Sequence, residues 1–458
     1  MGEASKLCIP VVGEASKLCI PVVGEASKLC IPVVGEAKRF AVITTFTNNI
    51  MRHLSFFLSL LVSLSLLLPS CEKDDSSFSD YDFSKYSLRS EQGDDGDGDG
   101  GTLPDTIALT IVWSGSGATV TGASATDSVT VAQGTTASDI VVTSTTQRYL
   151  QIAVSGTSTG GSLLVYSERR WGLVMNALTL TNPDGPAINN QCGKALYVTI
   201  ADGTVNTLTD GTAYADAPTN AAGAAIDQKG TFFSEGQMYF SGKGTLQVTG
   251  NSKNAIACDD YIVIEEDGPT LGITAKGTNG IKVNDGMEIY GGMLTIGVTS
   301  AGGRGIRSEA RVTIGGGETT ITTSGDCAEE TLADGTTDYS SCAGIKSDSL
   351  FTMTAGTLTI ASSGDGGKGI NCSQDVEFKG GRLNVTTTGS NNYAKPKGVK
   401  SGTGIIVSGG SFSVTVEKSW ACDNGTDSSD IEGMLTIIGT PATRELEKKS
   451  VTVIYSDN

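Results

Sequence analysis

Two short phrases recur through the second half of the chain and keep step with each other. That coupling constrains the fold more than any other feature. The first phrase is a small residue, Ile or Val, a polar residue and another small residue. It reads Ala187-Ile188, Ala225-Ile226, Ala255-Ile256, Gly280-Ile281, Gly305-Ile306, Gly344-Ile345, Gly369-Ile370 and Gly398-Val399, and extends to Trp420-Ala421. The second, Gly-Gly-x-Leu-x-Ile in outline, puts Leu294, Thr319, Leu358, Leu383, Phe412 and Leu435 at its Leu position. From Ile256 the first steps by 25, 25, 39, 25, 29 and 22 residues, and from Leu294 the second steps by 25, 39, 25, 29 and 23. Unrelated strands have no reason to share such a series, so the chain repeats a unit of about 25 residues. The long step places an insertion at residues 326–341, a loop leaving one coil.

The local pattern is that of strands. Ile107-Ala108-Leu109-Thr110-Ile111-Val112-Trp113 alternates with period two, and no segment of this region keeps a helical period, so the expected class is all-β. Gly is 60 of 458 residues against 11 Pro, with no collagen triplet, which suits short strands and tight turns. A unit of this length with two or three strands is one rung of a parallel β-helix. No rung can bury its apolar face alone, so Ile and Leu must stack from rung to rung. At ~4.8 Å per strand, nine rungs make a rod of roughly 40 Å. The leucine-rich pattern is missing and a propeller blade would be longer. The expected layout is a small N-terminal β segment over 105–171, the parallel β-helix over 172–440 and a C-terminal cap or tail over 441–458.

The first seventy residues are a different matter. Residues 2–12, 13–23 and 24–34 are identical, and Pro10, Pro21 and Pro32 forbid reading them as a helical supercoil. Residues 1–50 are therefore expected to be a start assigned too early, outside the fold. Met51 opens a credible leader: Arg52 and His53, then an apolar run over 54–68, too short for comfortable membrane spanning. Leu68-Pro69-Ser70-Cys71 ends it and resembles a bacterial lipobox, with Cys71 as the lipidation site. Glu72-Lys73-Asp74-Asp75 resembles the surface-export signal of Bacteroidetes lipoproteins. Residues 71–104, polar and acidic, read as a flexible tether. The expectation is a lipid-anchored outer-membrane protein facing outward, a monomeric rod.

Alternation assigns the outward side chains of the rungs. After the inward Ile come Ala257, Lys282, Arg307, Lys346, Asn371 and Lys400, then a small inward residue, then Asp259, Asn284, Glu309, Asp348, Ser373 and Gly402. Lys282, Arg307, Lys346 and Lys400 thus form a basic row beside an acidic one. Either Glu309 and Asp348 neutralise the row through surface ion pairs, or a polyanionic glycan carboxylate lies across it. Asp259, Asp260, Asp285, Asp348 and Asp365 are candidate calcium ligands, since hard cations take carboxylate oxygens from neighbouring rungs. Each Asp alone reads equally as a turn former.

Several function classes drop out. The single His, His53, sits in the leader, which removes His triads, His acid–base chemistry and His-ligated zinc from the working protein. A net charge of −18 argues against nucleic acid as a partner. No C-x-x-C occurs; Cys258 and Cys372 fall at the small inward position, while Cys327 and Cys342 bracket the insertion and could form a disulfide in an exported protein. Trp113, Trp171 and Trp420 read first as core or capping residues.

Phrases such as Asn182-Pro183-Asp184-Gly185-Pro186-Ala187-Ile188, the run from Asp202-Gly203-Thr204 to Thr209-Asp210-Gly211, and Ser241-Gly242-Lys243-Gly244-Thr245-Leu246 give the region from Gly172 to Gly439 a family resemblance. It resembles the carbohydrate-binding β-helix domain of exported bacterial proteins, similar in fold to calcium-dependent pectate lyases of polysaccharide lyase family 9. The resemblance implies a right-handed parallel β-helix, polysaccharide binding and bound calcium. In the lyases a Lys acts as base beside an Asp cage that holds calcium, and family members often carry Gly-Asp-Gly-Ile at the rung start. Here that place reads Thr278-Asn279-Gly280-Ile281, Gly303-Arg304-Gly305-Ile306 and Gly367-Lys368-Gly369-Ile370, without the Asp. Three functions follow as alternatives: non-catalytic capture of a polysaccharide, uronate-rich ones included; a calcium-dependent lyase with Lys282, Lys346 or Lys400 as base; or a structural adhesin.

Overall fold

A computed structural model describes residues 105–122 and 124–423, together with the backbone of a few short strands beyond them. The chain forms two units, Met1–Ser70 and Cys71–Asn458. In the first, the described backbone amounts to two antiparallel dipeptide pairs, Ile9–Pro10 with Lys17–Leu18 and Ile20–Pro21 with Lys28–Leu29. The expected leader, Cys71, the tether and all of the tail except the backbone of Thr452–Ser456 lie outside the described residues.

The second unit is an all-β solenoid of about 11 coils. Each coil supplies one strand to each of three faces. The coil opening at Asn254 runs Asn254–Cys258, Tyr261–Ile264 and Thr270–Ala275; the next runs Ile281–Val283, Gly286–Ile289 and Met293–Val298. A whole coil separates strands that pair on one face, which is the long connection parallel pairing requires. The first face is a 12-stranded sheet, parallel except at its start, where Val129–Gln133 runs antiparallel to Asp139–Ser144.

The register explains both phrases. On the first face Leu163, Ile188, Phe232, Ile256, Ile281, Ile306, Ile345, Ile370, Val399 and Cys422 stand in one inward column. On the third face Leu246, Leu271, Leu294, Thr319, Leu358, Leu383 and Phe412 do the same. Each such side chain, fully removed from water, stabilises by roughly 1.5–3 kcal/mol. The Gly before the column Ile is a close approach: a Cβ on Gly280 would lie 2.5 Å from Ile296 Cγ2 and 2.6 Å from the Gly305 carbonyl oxygen. In the second phrase Gly292, Gly317, Gly356, Gly381 and Gly410 turn the corner with φ between 68° and 82°, a left-handed conformation that favours Gly. The small residue after the outward position caps the next corner. Ser308 Oγ donates to the Ala310 carbonyl (2.9 Å), Ser347 Oγ to the same carbonyl (2.8 Å) and Ser401 Oγ to Gly404 (2.8 Å).

Two column assignments need correction. Ile226 is not a rung residue: Ile188 pairs with Phe232, and residues 211–229 form an excursion closed by a Thr219–Ala225 bridge. At the far end Cys422, not Ala421, continues the column, because Trp420 pairs with Lys397. Strand pairing also runs on across 171–172. Thr106–Ser114 pairs in parallel with Tyr149–Ser158, which pairs in parallel with Trp171–Asn182, so residues 105–171 are the first coils of the same solenoid. Trp113 and Trp171 are core residues, with indole N–H groups donating to the Ser138 carbonyl (2.8 Å) and Asn190 Oδ1 (3.1 Å). The insertion is an antiparallel hairpin, Ala328–Thr331 with Thr337–Ser340.

Candidate functional site

The outward row of the first face forms as its alternation requires. Ala257, Lys282, Arg307, Lys346, Asn371, Lys400 and Asp423 are successive partners in one parallel ladder. Like charges one strand spacing apart repel, and the acidic row answers them. Lys282 pairs with Glu309 at 2.9 Å, Lys346 with Asp348 at 2.7 Å, and Arg307 with the same Asp348. Burial pushes the Asp348 carboxyl up, but hydrogen bonds and charge from Lys346 and Arg307 hold it below the ordinary range. The Lys400 side chain, at the far end, makes no hydrogen bond or ion pair among the described residues.

The candidate calcium ligands are not gathered into one cage. Asp348 serves the ladder. Asp260 is buried and accepts from Gln237 Nε2 (2.8 Å) and the Tyr261 amide (3.0 Å), while Asp285 is exposed one coil further on, its amide donating to the Asp260 carbonyl at 3.1 Å. Asp365 is a turn clamp. Its carboxylate accepts from Ser390 Oγ (2.8 Å), the Asn392 amide (3.1 Å) and the Tyr393 amide (3.4 Å). Burial raises that carboxyl and these bonds lower it, with a net depression. Only Asp259 joins a group that could share a cation: among the described residues, Asp227, Glu235 and Asp259 bring oxygens within 4.8 Å of one another. The Lys229 ammonium already bridges Asp227 (2.6 Å) and Asp259. The donor set suits calcium, but as arranged the chain's own Lys229 ammonium occupies it, so the residues present do not fit the metal.

The disulfide is likewise not the arrangement found. Cys327 and Cys342 are free thiols. The hairpin register pairs Ala328 with Ser340, which leaves Cys342 two residues past the last pair and buried, its thiol directed to the carbonyls of Ser300 and Asp326, both at 3.4 Å. Cys258 and Cys372 are inward and buried, as their position in the phrase requires.

A second basic row escaped the sequence reading. Arg304, Ala343, Lys368, Lys397 and Trp420 pair in order, two residues ahead of the column Ile. Lys368 is only 8 % exposed. Its ammonium donates to Ser341 Oγ and the Gly366 carbonyl and has no carboxylate partner among the described residues. Burial first, then the charges of Lys400, Lys397 and Arg304, pulls it down to about 8. Arg304 donates to Ser340 Oγ, its Nε is buried without an acceptor, and burial and Arg307 lower its pKa. Lys397 is the paired member, held by Asp423. The signal was present in the sequence: Arg304 and Lys368 stand directly before the Gly of the rung phrase, at Gly305 and Gly369.

No curated protein matches the chain. Among solved structures it is similar to the polysaccharide lyase-like protein from C. thermocellum, determined as a gadolinium derivative, at 21% identity and a TM-score of 0.46, over 61% of this chain and 100% of that one. A family model described as carbohydrate-binding domain-containing protein matches residues 136–302 and 295–390, together more than half of the chain. Those residues span most of the solenoid, including Lys282, Arg307, Lys346 and Lys368, and the chain belongs to this carbohydrate-binding domain family.

Proposed function

We propose that the protein captures an acidic, uronate-containing polysaccharide without cleaving it, across the first face of the solenoid, while Cys71 tethers it to the outer membrane facing outward. The observation that carries the reading is the ladder that stacks Lys282, Arg307 and Lys346 on successive coils and, past Asn371, Lys400, on a chain whose net charge is −18. Family membership supplies the carbohydrate, and the ladder supplies the preference for an anionic one. Half-exposed ion pairs of this kind are worth about 0–1 kcal/mol each, so a polymer of carboxylates can displace Glu309 and Asp348 at small cost. Affinity electrophoresis of the full chain through gels containing polygalacturonate or a neutral glucan tests it. Retardation in the uronate gel alone, with the polymer intact, is the expected result; equal migration in all gels refutes it.

One observation favours a second reading, a polysaccharide lyase. A lysine base must be brought toward neutrality by burial or by neighbouring cations. Lys282 and Lys346 are tied into ion pairs, whereas Lys368 meets both conditions. In that reaction Lys368 would take the proton alpha to the uronate carboxylate, and the glycosidic oxygen would leave at the β carbon, giving an unsaturated uronide. Growth of ultraviolet absorbance from polygalacturonate, lost in Lys368→Met, would establish it over simple capture.

A further inference from the structure

Two features meet at the insertion hairpin, beside the far end of the ladder. The first is an aromatic platform. The insertion hairpin carries Tyr339 out to stack on Tyr393, a residue of the loop between Arg382–Thr387 and Lys397–Lys400, with ring centroids 5.0 Å apart and planes at 29°. Tyr393 is 66% exposed, although a large aromatic ring gains most from burial. The loop beneath it is held in place: Asp365 accepts from Ser390, Asn392 and the Tyr393 amide, and the Gly366 amide donates to the Ser390 carbonyl at 2.9 Å. An exposed ring on a clamped loop is a built surface.

The second feature is cationic charge directly behind the hairpin that forms no ion pair among the described residues. Ser340 and Ser341 follow Tyr339 in sequence, and their hydroxyls receive Arg304 and Lys368. Neither cation pairs with a carboxylate among the described residues, nor does Lys400, whose charge acts on Lys368. A buried cation outside any ion pair is costly, and an anion arriving from outside would relieve that cost. Asp365 does not fill the role, because its oxygens are taken by the loop.

We propose that Tyr339 and Tyr393, together with Arg304, Lys368 and Lys400, form a subsite for a single uronate residue of the polysaccharide. The sugar's apolar face lies on the exposed Tyr393 ring, with Tyr339 backing that ring. Its carboxylate is taken by the three cations, in charge-assisted hydrogen bonds stronger than neutral ones. The subsite rests on the polysaccharide-binding reading and adds to it the position that discriminates acid from neutral sugar.

Polygalacturonate and its fully methyl-esterified, neutral form, titrated into the full chain, test the subsite. Wild type is expected to bind the acid at least ~10-fold more tightly than the ester. Tyr393→Ala and Lys400→Ala are each expected to weaken acid binding by roughly 5–10-fold while leaving the melting temperature unchanged, since both side chains lie at the surface. Lys368→Met is expected to abolish the preference for acid over ester. Wild-type affinity in Tyr393→Ala and an unchanged acid preference in Lys368→Met, with loss confined to ladder variants such as Lys346→Ala, overturns the subsite and leaves polysaccharide binding to the ladder. Failure of wild type to bind either polymer overturns the functional reading itself.

Discussion

Asp348 stands between two cations of one ladder, bonded to Lys346 on its own rung and to Arg307 on the rung before. One carboxylate therefore settles the repulsion between two stacked basic side chains, and the same side chains are free to turn to another anion if it is displaced.

Asp348→Asn should loosen that bargain in a measurable direction. The depressed carboxyl contributes stability that is present above the unfolded value of about 3.9 and lost as pH falls through its lower native value. Near pH 7 the variant is expected to melt slightly lower than wild type, by an amount on the order of 1 kcal/mol that shrinks at high salt. Its affinity for polygalacturonate should rise. A salt-independent loss, or weaker binding, would contradict the pairing.

Glu265 gives a prediction of opposite sign. It is 4 % exposed, one carboxylate oxygen lacks a partner, and burial, with Asp267, pushes it up to about 8. A raised carboxyl contributes stability below its unfolded value of about 4.3 that is lost as pH rises through the native value. Glu265→Gln is therefore expected to match wild type near pH 4 and to melt higher at pH 9. Parallel melting curves across that range would show that the carboxylate is solvated.

Gly280 tests the packing of the rungs. A Cβ there meets Ile296 and the Gly305 carbonyl oxygen, and overpacking of this kind costs about 1–3 kcal/mol. Gly280→Ala should lower the thermal midpoint, whereas an Ala at half-buried Gly160, where a Cβ meets open space, should not.

Lys229 occupies the position of a cation among Asp227, Glu235 and Asp259. Lys229→Met leaves three carboxylates close together, so calcium should raise the melting temperature of the variant and chelator should lower it, while wild type is indifferent at this cluster. A wild-type response abolished by Asp259→Asn would show that calcium competes with the lysine after all.

Much of this molecule was legible before the fold, because a solenoid writes its geometry into periodicity. The ladder Lys282–Arg307–Lys346–Lys400 and the small residues beside it follow from alternation alone. Ile226 misled because an Ala-Ile pair in an excursion looks like one in a rung; only pairing reveals that Phe232 holds the column. The candidate calcium ligands misled for a related reason. Asp365 and Asp260 satisfy backbone amides, and a sequence does not distinguish a turn clamp from a metal ligand. The second basic row was visible as Arg304 and Lys368 but carried no meaning until burial stripped Lys368 of counter-charge. The Tyr339–Tyr393 stack joins residues of an insertion and of a turn two coils on, and no spacing encodes that.

The central claim is that the first face binds polysaccharide through its cations. The most direct measurement compares wild type with the combined variant Lys282→Ala, Arg307→Ala and Lys346→Ala for polygalacturonate binding across a salt series. The account predicts wild-type binding that weakens steadily with salt, a much shallower salt dependence in the variant, and no retention of either protein by neutral glucan. Unchanged affinity and salt dependence in the variant would contradict it.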